Sequence, residues 1–241
     1  MDWLFTPHGA LDFHSAIEFG NRLLTFVLVA VAVLTFVAAW RTGRRHLVGL
    51  AAVLAAGIPL QAVIGGITVL TDLNPWIVSL HLLLSMALVG LSVRFLQVLD
   101  RPTPAVGGPA TTLAWIVLAA AWVVLYLGTV VTGSGPHAGD ADSPRNGLDP
   151  LQWSQLHADA VFLYLGLTIG LLLCLMAVRA DRAAVRVVVW LLVAQLAQGA
   201  IGFVQYFNDL PELLVGLHML GAAILSALTT AALLRVRHPE A

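Results

Sequence analysis

The chain has 241 residues, of which 59% are hydrophobic and only 10% charged, and its mean hydropathy is +0.91. That composition lies outside the range of soluble globular domains. A formal net charge of −1 supplies no basic footprint, so no nucleic-acid partner is expected.

Seven apolar runs follow one another, at about 19–40, 46–70, 76–98, 111–132, 153–178, 184–206 and 212–235. Each is long enough to cross a hydrocarbon core of roughly 30 Å. Backbone groups in lipid must be paired within the segment, and the runs lack the alternation of barrel strands, so the expected fold is all-α. The expectation is a polytopic membrane helix bundle of seven transmembrane helices, with lipid as its solvent and partner. All twelve basic residues are arginine. Ten fall in alternate connections: Arg41, Arg44, Arg45, Arg94, Arg101, Arg179, Arg182, Arg186, Arg235 and Arg237. The positive-inside rule puts those connections in the cytoplasm, with the N-terminus outside and the C-terminus inside. Residues 1–18 lack the basic region and apolar stretch of a cleavable signal peptide. The single cysteine, Cys174, excludes an internal disulfide and reads as a small buried hydrophobe.

One pattern occurs twice. Gln61-Ala-Val-Ile64-Gly65-Gly66, Leu73, Val78 and His81 match Gln198-Gly-Ala-Ile201-Gly202-Phe203, Leu210, Val215 and His218 at a constant offset of 137 (198 − 61, 202 − 65, 218 − 81). Such a repeat means two related halves, residues 1–100 with three helices and 101–241 with four. The 3 + 4 arrangement implies one absent helix, through a truncated gene, a misplaced start or a seven-helix variant. The second half carries a further polar, Gly-rich loop at 133–152, long enough to act as a cover.

His81 and His218 lie six and seven residues after Pro75 and Pro211, and His157 seven after Pro150, so all three share a depth of about 9–10 Å below their helix starts. Histidines within one helical bundle are candidate metal or haem-iron ligands, and His157 with His218 form the matched pair of the second half. In the first half His81 stands opposite Asn21 or Glu18. A lone intramembrane histidine also serves as an interhelical hydrogen-bonding group; three at one depth, two related by a repeat, favour ligation. Gln61 and Gln198 read as interhelical hydrogen-bonding residues. Gly65, Gly66 and Gly202 read as close-packing positions. Glu18 is either a solvated helix-end carboxylate or a proton relay. His8, His14 and His137 fall in outer loops, His46 and His238 on the cytoplasmic flank, and Trp3, Trp76 and Trp153 at the outer interface.

These motifs, with Ile17-Glu18-Phe19-Gly20-Asn21-Arg22, Gly65-Gly66-Ile-Thr-Val-Leu-Thr71, Gly128-Thr-Val-Val-Thr-Gly-Ser-Gly-Pro-His-Ala-Gly139 and Gln155-Leu-His157, resemble the haem A synthase family along essentially the whole chain. The resemblance implies an eight-helix membrane oxidoreductase of two four-helix halves. That family oxidises the C8 methyl of haem O to a formyl group for cytochrome oxidase biogenesis. It implies a haem b prosthetic group on His157 and His218, substrate haem O (product haem A) ligated by His81, and Glu18 as the acidic residue beside it. Haem O synthase, the cytochrome oxidase assembly machinery and a second copy of the chain are the implied partners, with an unidentified electron donor, in a bacterial-type cell membrane. Two departures stand out. Many members have histidine where this chain has Asn21, leaving His81 alone or joined by a loop residue such as His14. The family's first helix and its cysteine-bearing loop have no counterpart here. A b-type electron-transfer cytochrome and a non-catalytic haem-binding assembly factor are the competing readings.

Overall fold

The computed structural model describes residues 13–99, 106, 108–135 and 143–237, with residues 13–19, 21 and 22 described in backbone only. Seven helices account for nearly all of them: α1 (Phe13–Arg41), α2 (Arg45–Leu70), α3 (Pro75–Leu99), α4 (Gly108–Ser134), α5 (Pro150–Ala177), α6 (Arg182–Phe207) and α7 (Glu212–Val236). All seven are long and apolar enough to span a membrane. No strand occurs among the described residues.

Punctuation sets the helix ends. Pro75 and Pro150 open α3 and α5, and Pro211 caps α7, places where a missing N–H costs nothing. Asp149 and Asp181 cap α5 and α6 by accepting from the backbone N–H of Leu151 (2.9 Å) and Ala183 (3.2 Å). The largest departure from expectation is at α1, which starts at Phe13 rather than near residue 19. No glycine or proline stands between Gly9 and Gly20, so nothing stops the helix at the edge of the apolar run. His14 therefore lies in the first turn of α1 rather than in a loop, and Glu18 lies within the helix rather than at its end. Their side chains, and that of Asn21, are outside the described residues, as are Trp3, His8, His137 and His238. Cys174 is only partly buried, packed against the core.

Contacts divide the chain into two compact units, residues 1–60 and 61–241, a boundary that falls inside α2 just after Pro59. The halves of 1–100 and 101–241 follow instead from the repeat. In the first unit, Gly43 takes a left-handed φ of 68° in the turn that ends α1, where the Thr42 hydroxyl donates to the Ala39 carbonyl (2.7 Å). Beside that turn Ala39, Leu47 and Ala51 are buried.

In the second unit α4, α5, α6 and α7 form a ring. α4 and α6 each pack on both α5 and α7, so α5 and α7 face each other across the diagonal. α3 packs on α7 and α4. The α3–α7 seam joins equivalent helices of the two halves. The Gln97 amide donates to the Leu234 carbonyl (2.8 Å), a pair separated by the repeat offset (234 − 97 = 137), and the Ser226 hydroxyl donates to the Met86 carbonyl (3.0 Å). Thr230 packs on Gly90, the small-residue approach typical of helices in lipid.

The repeat reappears in the backbone. Asp72-Leu73 and Asp209-Leu210 all take left-handed conformations, with φ of 51°, 60°, 55° and 56°. In both turns the leucine N–H closes onto the carbonyl five residues earlier: Leu73 onto Thr68 (2.8 Å), Leu210 onto Gln205 (2.9 Å). Left-handed geometry costs a residue with a Cβ about 1–2 kcal/mol. Its recurrence at matched positions sets the register in which α3 and α7 return beside α2 and α6.

Packing is uneven along the ring. Buried side chains such as Leu171, Leu175, Val188, Leu191 and Val236 fill its inner end. Outward of Tyr164, Gln195 and Ser226, no residue of α5, α6 or α7 is buried. The outer end of α4 is held separately: Asn146 donates its side-chain amide to the Val130 carbonyl (2.9 Å) and its backbone N–H to Gly133 (2.9 Å). A Cβ on Gly133 would lie 2.8 Å from the Pro75 Cβ and 3.2 Å from the Asn146 amide. The proline ring cannot swing away. Gly133→Ala should therefore cost about 1–3 kcal/mol, read as a lowered thermal unfolding midpoint in detergent; an unchanged midpoint would contradict this packing.

Candidate functional site

Three imidazoles are presented in the same way. A Cβ built on Gly65 would lie 3.3 Å from Cε1 of His81; on Gly128, 3.2 Å from Cε1 of His157; on Gly202, 3.2 Å from Cε1 of His218. Each ring edge therefore rests on the bare backbone of a neighbouring helix, in space that any other residue would fill. Gly65 and Gly202 do more than allow close packing: they are the histidine seats. Gly128 is a seat that spacing alone did not point to, because it lies 29 residues before its histidine (157 − 128) rather than 16 (81 − 65, 218 − 202).

A second contact fixes two of the three. The Gln198 side-chain amide donates to the His218 carbonyl (2.7 Å), and Gln61 to the His81 carbonyl (3.2 Å). Gln61 also donates to the Ser85 hydroxyl. Glutamine and glycine are four residues apart (65 − 61, 202 − 198), one helical turn, so they grip one histidine together. The glutamines thus act as interhelical hydrogen-bonding residues, as their positions imply.

The rings share one polarity. Nδ1 of His81 and His218 is buried without a hydrogen-bond partner, the His157 ring has the Val124 backbone carbonyl beside it, and no Nε2 is among the buried unpartnered atoms. Buried polar atoms are nearly always paired, and a repeated exception calls for a functional explanation. His157 on α5 and His218 on α7 stand on the diagonal helices, close enough for a charge on one to be felt by the other. They look into the loosely packed outer end of the ring.

Helix bounds also align the first helices of the two halves. The connection 42–44 has one residue fewer than 178–181, so the offset there falls to 136, and His157 corresponds to Asn21 (157 − 136). Among the described residues no group of three His, Cys, Asp or Glu side chains converges on a point. His46 is exposed near the start of α2 and Trp76 is half-exposed at the start of α3.

Residues 10–143 match the family model COX15-CtaA, described as cytochrome oxidase assembly protein. That stretch is 134 of the 241 residues (143 − 10 + 1). The chain belongs to this family. No curated protein matches it. The family match contains Glu18, Asn21, His81 and Gly128, and ends before His157 and His218. The repeat carries the pattern into the second half, where the Gln–Gly grip on His218 copies that on His81. As a family member with seven spans, the chain is a multi-pass membrane protein of cytochrome oxidase assembly.

Valine at Gly202 should push the His218 ring out of its seat and cost about 1–3 kcal/mol. Gly199 in the same helix has open space beyond it, so valine there should change stability by no more than about 0.5 kcal/mol. Thermal midpoints of the two variants in detergent measure the contrast, and equal losses would contradict the seat.

Proposed function

We propose that the protein is a haem A synthase-type oxidoreductase, acting on the C8 methyl group of haem O. The observation that carries the reading is the pair of glycine-seated imidazoles on diagonal helices, each with its Nδ1 buried, in a chain of the cytochrome oxidase assembly family. In the second half, His157 and His218 would hold a resident haem b, which would supply a one-electron couple when bound. Neither Nε2 is among the buried unpartnered atoms, which leaves that nitrogen for the iron and the ring proton on Nδ1.

In the first half His81 is proposed as the single protein ligand of the substrate haem. Asn21, which takes the place of His157, carries a carboxamide rather than an imidazole, so one face of the substrate is left for oxygen chemistry. Turning the methyl into a formyl group with an oxygen atom from water is a four-electron oxidation (R–CH3 + H2O → R–CHO + 4 H+ + 4 e−), in which an external electron acceptor takes the electrons and the protons must leave. Glu18, one turn from Asn21 (21 − 18), is proposed to accept them. The arginine-rich ends are proposed to face the cytoplasm of a bacterial-type cell and the 133–152 loop the outside.

Co-expression with a haem O source, followed by mass analysis of extracted haem, tests the activity. Wild type should yield haem A. His81→Ala should yield none, and Glu18→Gln several-fold less, with the low-spin second-half signal intact in both. Haem B and unchanged haem O alone from the wild-type protein would overturn the reading. For orientation, a cysteine placed at Asp140 in a Cys174→Ala background should react with an impermeant maleimide in intact cells. Reaction only after lysis would reverse the topology.

A further inference from the structure

Four polar side chains lie sealed inside the second-half ring, directly inward of the histidine pair. Tyr164 is 2% exposed, Thr168 0%, Gln195 5% and Thr229 1%. The Tyr164 hydroxyl on α5 hydrogen-bonds the Thr229 hydroxyl on α7, across the diagonal that the backbones do not bridge. Gln195 on α6 donates to the Thr168 hydroxyl (2.9 Å), which in turn donates to the Tyr164 carbonyl (2.9 Å). The Gln195 side chain also lies beside the Tyr164 hydroxyl. Desolvating so many polar groups in the middle of a membrane bundle is costly, and such clusters are retained for a purpose.

The first half has no equivalent. At the offset of 136 that aligns α1 with α5, Tyr164 and Thr168 become Leu28 and Ala32. At 137, Gln195 and Thr229 become Ile58 and Ser92. Three of the four cannot hydrogen-bond through a side chain. Seating a histidine on glycine therefore does not require the network, since both halves do it.

We propose that the Tyr164–Thr229 bond is a diagonal strut that fixes the separation of α5 and α7, and with it the spacing of His157 and His218. Tyr164 and Thr229 are thus positioning residues for a permanently bound group. The proposal rests on the haem assignment above. Two ligands of one centre must hold one separation, and here the outer ends of their helices pack too loosely to do so. The strut lies 7 residues inward of His157 (164 − 157) and 11 inward of His218 (229 − 218). The Tyr164 ring spans the remaining width. Gln195 and Thr168 brace the tyrosine from the side. Its absence from the first half matches a site whose occupant must arrive as substrate and leave as product. The same fold thus carries one strutted pocket and one unstrutted pocket.

The purified full-length protein tests this through haem transfer to excess apomyoglobin and the low-spin electron paramagnetic resonance signal. Tyr164→Phe removes one oxygen atom. It should speed haem loss about fivefold, the worth of one net hydrogen bond, and broaden or split the low-spin signal. Thr229→Val should do the same, and Thr229→Ser, which keeps the hydroxyl, should restore wild-type behaviour. Ser226→Ala, which breaks a buried α3–α7 bond off the diagonal, should leave both readouts unchanged. Wild-type haem loss and signal in both Tyr164→Phe and Thr229→Val would overturn the strut, as would an equal effect of Ser226→Ala. If His218→Ala kept the low-spin signal, the haem assignment itself would fall, and the strut with it.

Discussion

An imidazole edge lying on a bare glycine backbone is the contact around which this molecule is organised. It occurs at Gly65–His81, Gly128–His157 and Gly202–His218, each time within 3.2–3.3 Å of where a Cβ would stand. Lipid offers no hydrophobic drive for one helix to approach another, so approach depends on small residues and interhelical hydrogen bonds. The glycine supplies the first, and at two of the sites a glutamine one turn away supplies the second. Together they hold a ring that would otherwise rotate about two bonds. The left-handed Asp-Leu turns set the register that brings Gly65 and Gly202 to their rings.

From that contact the division of labour within the ring follows. The inner end is packed with aliphatic side chains and closed by four buried polar groups. The outer ends of α5, α6 and α7 have no fully buried residue among those described. A bundle packed uniformly would leave no room for a flat group, and a bundle open throughout would not hold its histidines in place. Placing the rigidity below the histidines and the space around them meets both needs. Asn146, pinned to the outer end of α4, steadies one of the two ring helices that run against α3.

Much of this was legible in the sequence, because membrane helices are specified by composition and the repeat is ungapped. All seven spans, the three histidines at one depth and the hydrogen-bonding role of Gln61 and Gln198 could be read from spacing. The early start of α1 could not, since hydropathy marks the lipid boundary and a helix continues past it where no breaker intervenes. Gly128 escaped because its histidine lies across a long loop, and contact across a loop has no periodicity. The Tyr164 network escaped because each member looks isolated in an apolar run. Four such interruptions within three apolar helices were the available signal. The one-residue difference between the 42–44 and 178–181 connections hid the correspondence of Asn21 with His157 until helix ends were fixed.

The central claim is that His157 and His218 hold one resident haem between diagonal helices. The most direct measurement is an anomalous difference map at the iron edge from crystals of the haem-loaded protein. An iron peak between His157 and His218, inside the outer end of the ring, is the expected result. Iron elsewhere, or bound to only one of the two imidazoles, would contradict it.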